Sequence, residues 1–189
     1  MFLADSVALQ TVSSRCGVRR PLDSRVTPVK LCNRGDELIP DLDDGVLPEG
    51  VHSCTIEEVE QVFGVFARSD SRQRLTQTLR RYIEDVRNTR IAVAVVVDGS
   101  YITAKSEPSD IDLVLALRPD LDLSAELLPL EYNVQSERMV RRLYGFDVLT
   151  AIDGSDAYTK HIDFFSRVRL DDPEQSASRS RKGLLRIEL

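Results

Sequence analysis

The run Ile91 to Val97 (IAVAVVV) constrains the fold most. It is seven consecutive apolar residues, mostly β-branched, with no polar side to turn toward water. Side chains alternate across a strand, so both faces of such a run need cover, as in the centre of a sheet packed on two sides. The run is far shorter than the roughly 20 apolar residues of a membrane-spanning helix, and no longer one exists in the chain. It stops at Asp98-Gly99-Ser100. A loop, Tyr101 to Ser109, leads to Asp110-Ile-Asp-Leu-Val-Leu-Ala-Leu117, a second apolar strand halted by Arg118-Pro119.

The flanking sequence supplies the layers. Ile39 to His52 (IPDLDDGVLPEGVH) holds two prolines and two glycines and reads as an extended, turn-rich lead-in. Thr55 stands three residues before Glu58, the capping-box spacing of a helix start, and Ile56, Val59, Phe63 and Phe66 follow on one face. A second amphipathic helix after Ser69-Asp70-Ser71 turns Leu75, Leu79, Tyr82, Ile83 and Val86 inward. Its other face carries Arg72, Arg74, Arg80, Arg81 and Arg87, a pattern read as a solvated face with substrate binding as the sharper alternative. Helices are expected over 122–128 and 134–144, with Gly145 as a C-terminal cap. Phe146 to Ile152 reads as a third strand, and His161 to Val168 as an apolar helix or strand. Gly183 to Leu189 alternates like a half-buried edge strand. Two helices followed by a small mixed sheet make an α+β fold, an α/β sandwich.

Composition narrows the function. The 189 residues carry a net charge of −6, which argues against binding nucleic acid through many phosphate contacts, although a local basic groove is compatible with it. Residues 1–38 depart from this balance, with Arg15, Arg19, Arg20, Arg25, Lys30 and Arg34 against Asp5, Asp23, Asp36 and Glu37. They show no sustained periodicity and are expected to be an unstructured extension of a domain covering 39–189. Cys16, Cys32 and Cys54 match no zinc or redox spacing, and the start lacks a secretory pattern, so a reducing cytoplasm is the expected location.

The chemistry is concentrated between Val97 and Leu117. In a strand, residues i and i+2 point the same way, about 7 Å apart, so Asp110 and Asp112 project together while Ile111 and Leu113 enter the core. Two carboxylates at a strand start suit hard Mg²⁺ ions that keep positions for substrate phosphates. Gly99 would let a triphosphate approach the backbone, Ser100 would offer a hydroxyl and an N–H, and Lys105 would reach the same charge from the loop. His52 and Cys54 lack partners at zinc spacing and read as structural. His161 is a weak candidate for a general base.

Gly99-Ser100, nine residues, then Asp110-Ile111-Asp112 resembles the signature of the polymerase-beta-type nucleotidyltransferase superfamily. More narrowly, Ile39 to Phe63, Gly99 to Val114 and the Gly183-Leu-Leu-Arg-Ile ending are similar to a family of small, largely uncharacterised prokaryotic proteins with a nucleotidyltransferase domain. The resemblance spans about residues 39–189. It implies a sheet of the nucleotidyltransferase type and a third carboxylate on a neighbouring strand. Asp147 is preferred, since it follows a helix suited to the crossover and Tyr144-Gly145-Phe146-Asp147 is similar to the family's third-strand entry. Asp163 is the alternative. The activity implied is Mg²⁺-dependent transfer of a nucleoside monophosphate from an NTP to a hydroxyl acceptor. That acceptor is a protein side chain or an RNA end, tRNA included; by analogy the setting is a toxin–antitoxin or phage-defence module. The rivals are a catalytically degenerate domain that binds nucleotide or a partner, and an Asp-x-Asp glycosyltransferase.

Overall fold

The apolar run does form the middle of a sheet. The computed structural model describes residues 39–66, 70–168 and 180–189; all belong to one compact unit that spans 34–189. The expectation for residues 1–38, with Cys16 and Cys32, lies outside the described residues. In chain order the elements are β1 (Gly50–Cys54), α1 (Ile56–Val59, widening into a π turn over Glu60–Gly64), α2 (Asp70–Thr89), β2 (Ala92–Asp98), β3 (Asp112–Leu117), α3 (Pro129–Gln135), α4 (Glu137–Tyr144), β4 (Asp147–Ile152), α5 (Asp156–Phe165) and β5 (Gly183–Glu188). They make an α+β sandwich around a five-stranded mixed sheet of order β1-β5-β2-β3-β4.

Strand alternation divides the core in two. Val95, Val97, Leu113, Leu115, Val148, Leu185 and Ile187 face α1 to α4 and pack on Ile56, Phe63, Leu79, Tyr82, Val134 and Val140. Val96, Val114 and Leu184 face the other way, beneath Phe165, Ile162 and Tyr158 of α5. Among the described residues the second face has one ten-residue helix over it, and a cavity lies at the end of the sheet near Asp98 and Asp112. The Thr55 capping box forms, with Glu58 N–H donating to Thr55 Oγ1 at 3.2 Å and Thr55 N–H to Glu58 Oε2 at 2.7 Å. Gly145 ends α4 in the left-handed conformation.

The structure departs from the sequence reading in three places. A strand, β1, precedes the helices and closes the edge, so β5 is an interior strand, parallel to β1 and antiparallel to β2. No helix spans 122–128; Pro129 occupies the first turn of α3 and holds Leu128 extended. The expected helix 134–144 is divided at Ser136, whose extended backbone separates α3 from α4.

The entry to β5 is unusually tight. A Cβ on Gly183 would lie 2.1 Å from the Pro48 carbonyl oxygen and 2.8 Å from His52 Nε2, and Gly183 N–H donates to the Leu47 carbonyl at 2.9 Å. His52 itself is hydrogen-bonded to the Pro48 carbonyl at 2.8 Å. Backbone has nowhere to yield here, so Gly183→Ala is expected to destabilise the fold by about 2 kcal/mol or more, read as a lowered urea midpoint.

Candidate functional site: an acidic row at the end of the sheet

Three aspartates stand side by side across three strands. In the antiparallel β2–β3 pair Asp98 faces Asp112, and in the parallel β3–β4 pair Asp112 faces Asp147. Laterally paired residues project to the same face of a sheet, about 5 Å apart along the hydrogen-bonding direction. By the alternation above, that is the face under α5. Asp110, two residues before Asp112, lies just outside β3 and lines, with Asp98 and Asp112 but not Asp147, a cavity of about 260 Å³ that Gly99, Ser100 and Lys182 also border. Lys105, Phe164 and Arg167 also border it. Ile111 and Leu113 are buried, as expected.

The glycine–serine bend shapes this site by holding its own chain. Gly99 has φ +94°, and a Cβ there would come within 2.9 Å of the Asp110 carbonyl oxygen and 3.0 Å of the Asp112 nitrogen. Its lack of a side chain therefore lets the carboxylate-bearing segment pass close by. Ser100 donates both its N–H (2.9 Å) and its hydroxyl (2.5 Å) to Asp110 Oδ1. The hydroxyl oxygen in turn accepts from Ser109 N–H at 3.0 Å. The groups expected to cradle phosphate are thus engaged in orienting Asp110.

Arg72 secures the loop that follows. The sequence reading placed it on a solvated face, but it is fully buried. Its guanidinium donates to the carbonyls of Tyr101 and Thr103 at 2.8 Å, of Phe63 at 3.2 Å, and of Lys105. Five rigidly forked donors allow one side chain to gather carbonyls from two segments. Tyr101, beneath it, hydrogen-bonds Thr76 at 2.6 Å. Three more of the row have structural partners: Arg80 pairs with Glu60 at 2.6 Å, Arg81 donates to the Leu143 carbonyl at 2.6 Å, and Arg87 donates to the Glu188 carbonyl at 3.4 Å.

The two candidates for a third carboxylate differ in placement. Asp147 extends the acidic row at the edge strand, where its half-exposed carboxylate accepts from Arg141 Nε at 2.6 Å. Asp163 is on helix α5, not in a strand. The buried stripe Tyr158, Ile162, Phe165 has helical spacing, and Asp163 projects beside it toward Arg181 (2.8 Å) and Arg167 (2.5 Å). Hydrogen bonds from Arg181 and then Arg167 hold its carboxyl below the ordinary aspartate range. His161 is also on this helix.

Sequence reasoning missed two residues. Asp98 is 4% exposed and Lys182 8%, and they form an ion pair of 2.7 Å at the cavity floor. An acid closing a wholly apolar strand was a visible signal for Asp98. Lys182 had none, sitting among other basic residues until β5 carries it into the sheet.

The donor chemistry fits a hard cation delivered with polyphosphate. Asp110 and Asp112 would offer oxygen ligands to such a cation, with phosphate and water offering the others. Among the described residues, no three acid, histidine or cysteine side chains are grouped to hold a metal ion by themselves. His52 and Cys54 are structural: one is bonded to Pro48, the other buried with its thiol pushed up to about 12, mainly by desolvation.

The chain belongs to the family described as "Family of unknown function (DUF6932)", which matches residues 40–188. No curated protein and no solved structure matches it.

Two outcomes follow from this geometry. Arg72→Lys retains charge but cannot serve four carbonyls, so a loss of about 3 kcal/mol, with faster amide exchange over residues 100–105, is expected. Cys54 should resist iodoacetamide at pH 8 in the native protein and react after denaturation, as peptide mass mapping would read.

Proposed function

We propose that this protein is a Mg²⁺-dependent nucleotidyltransferase related to the polymerase-beta-type superfamily. It would transfer a nucleoside monophosphate from an NTP to a hydroxyl on a protein side chain or an RNA end, tRNA included. The observation that carries the reading is the convergence of Asp110 and Asp112 on one cavity with Ser100 and the cations Lys105, Arg167 and Lys182. Carboxylates beside ammonium and guanidinium groups complement a polyphosphate and the divalent cation it travels with.

Asp110 and Asp112 would hold the Mg²⁺, which when bound offsets charge on the phosphates and on the departing oxygen. Ser100 keeps Asp110 oriented through two hydrogen bonds, while Gly99 keeps the bend close to the Asp110–Asp112 segment. Lys105 would meet the polyphosphate from the loop that Arg72 fastens. Asp147, at the sheet edge, would accept the proton of the incoming hydroxyl after leaving Arg141. Its position beside Asp112 favours it over Asp163, which is held by two arginines on α5. The acceptor oxygen bonds to the α-phosphorus as the bond from that phosphorus to pyrophosphate breaks. A toxin–antitoxin or phage-defence setting rests on analogy of fold alone.

A second reading has its own support. Asp98, Asp110 and Asp147 each already have a partner: Lys182, Ser100 and Arg141. A domain that binds nucleotide or a protein partner without turnover would show such a self-satisfied site. Calorimetry would favour it if NTP binds with Mg²⁺ while no acceptor is modified. Competition by UDP-sugars over plain NTPs would instead favour the glycosyltransferase rival.

The test is incubation with α-phosphate-labelled NTPs, Mg²⁺ and cell extract as acceptor source. The wild-type protein should transfer label, and the Asp110→Ala/Asp112→Ala variant should lose at least about a hundredfold of that rate, the scale of removing charge stabilisation from a transferring phosphoryl group. Equal labelling by both would overturn the proposal.

A further inference from the structure

The Asp98–Lys182 pair is the feature of the site that neither the Gly-Ser bend nor the Asp-x-Asp strand explains. Both side chains are withdrawn from water, 5% and 11% exposed, at 2.7 Å from each other. Desolvating two charges costs more than their attraction usually returns, so such a pair is weak as a stabilising device. It is also held in place with care. Lys182 N–H donates to the Ser166 carbonyl at 2.8 Å, next to the end of α5, and the adjoining Gly183 N–H to Leu47 at 2.9 Å. These anchors fix the backbone from which the ammonium reaches the cavity.

We infer that Lys182 is the principal polyphosphate-binding residue of this site, with Asp98 as the counter-ion that holds its ammonium in place while no phosphate is bound. The inference rests on the nucleotidyltransferase reading and deepens it by naming the group that takes the non-transferred phosphates. An ammonium has three donors, and one partner carboxylate leaves it able to engage anionic oxygens entering the same cavity. In a desolvated setting that attraction is stronger than the same contact made by an exposed lysine. The other cations are placed less well: Arg167 is 67% exposed and bound to Asp163, and Lys105 lies on the loop. Asp98 thereby belongs to the anion-binding half of the site, in contrast to Asp110 and Asp112 in the cation-binding half.

The experiment is calorimetric binding of inorganic tripolyphosphate, and of a non-hydrolysable NTP, to the full chain with Mg²⁺ and with EDTA. Lys182→Met should weaken tripolyphosphate binding about tenfold or more in both conditions, the scale of one lost charge-assisted hydrogen bond. Asp98→Asn should keep wild-type affinity or tighten it. The Asp98→Asn/Lys182→Met double variant removes both charges of the pair together, so it keeps the test readable where Lys182→Met alone melts early, and it should show the same loss. Wild-type affinity in the double variant would overturn the inference, as would an Asp98→Asn loss equal to that of Lys182→Met. Asp110→Asn/Asp112→Asn separates the parent reading, because it should remove only the Mg²⁺-dependent part of NTP binding. If it changes nothing while Lys182 variants still lose tripolyphosphate, the cation site fails and the anion site stands. A wild-type protein that binds neither ligand overturns both.

Discussion

The register between β2, β3 and β4 is the constraint on which the rest depends. Asp98, Asp112 and Asp147 share one row because β3 pairs antiparallel on one side and parallel on the other with no offset at that level. A slip of one residue would turn the aspartates of the moved strand toward α1 to α4 and expose its apolar set. The buried alternation of Val95, Val97, Leu113, Leu115 and Val148 against Val96 and Val114 makes such a slip costly. Acid placement is therefore a by-product of core packing, and the loops beyond it have only to orient side chains already gathered.

Those loops are organised by two buried cations that behave differently. Arg72 spends its donors on backbone carbonyls of the Gly-Ser loop and has no carboxylate among these partners, and burial draws its pKa below the ordinary arginine value. It is a structural rivet. Lys182 faces a carboxylate instead and shares its cavity with Asp110 and Asp112. Removing one member of such a buried pair costs about 3–5 kcal/mol, because the other charge is left stranded. Rigidity on the loop side and a compensated charge on the sheet side together define the cavity.

Much of this was legible in residue order. The unbroken apolar run at 91–97, the Asp-x-Asp entry to the next strand and the Thr55–Glu58 spacing act through neighbours in sequence, and each appears as read. The misreadings arise where distant segments decide. Residues 39–52 look like a turn-rich lead-in because two prolines and two glycines break the pattern, yet pairing with β5 makes 50–54 a strand. Once β1 is missing, β5 can only look like an edge. Arg72 has the local signature of a surface arginine, and only the carbonyls of a loop some thirty positions later (101–105) account for its burial. Asp163 looked strand-borne because the stripe was read from His161 instead of from Tyr158, where the helical spacing begins.

The interior position of β5 also bears on how the chain reaches this state. Gly50 pairs with Gly183 and Val97 with Leu185, so two of the sheet's four seams close only when residues 183–188 arrive. Until then a growing polypeptide on the ribosome would present the naked border of β2, the most apolar strand of the sheet, to any neighbour with unmet hydrogen bonds. Joining ends so remote in sequence is slow, since the entropy of a large loop is lost before the contacts reward it. Nascent copies are therefore exposed to mispairing for longest at the strand that carries Asp98 and sets the register of Asp112 beside it.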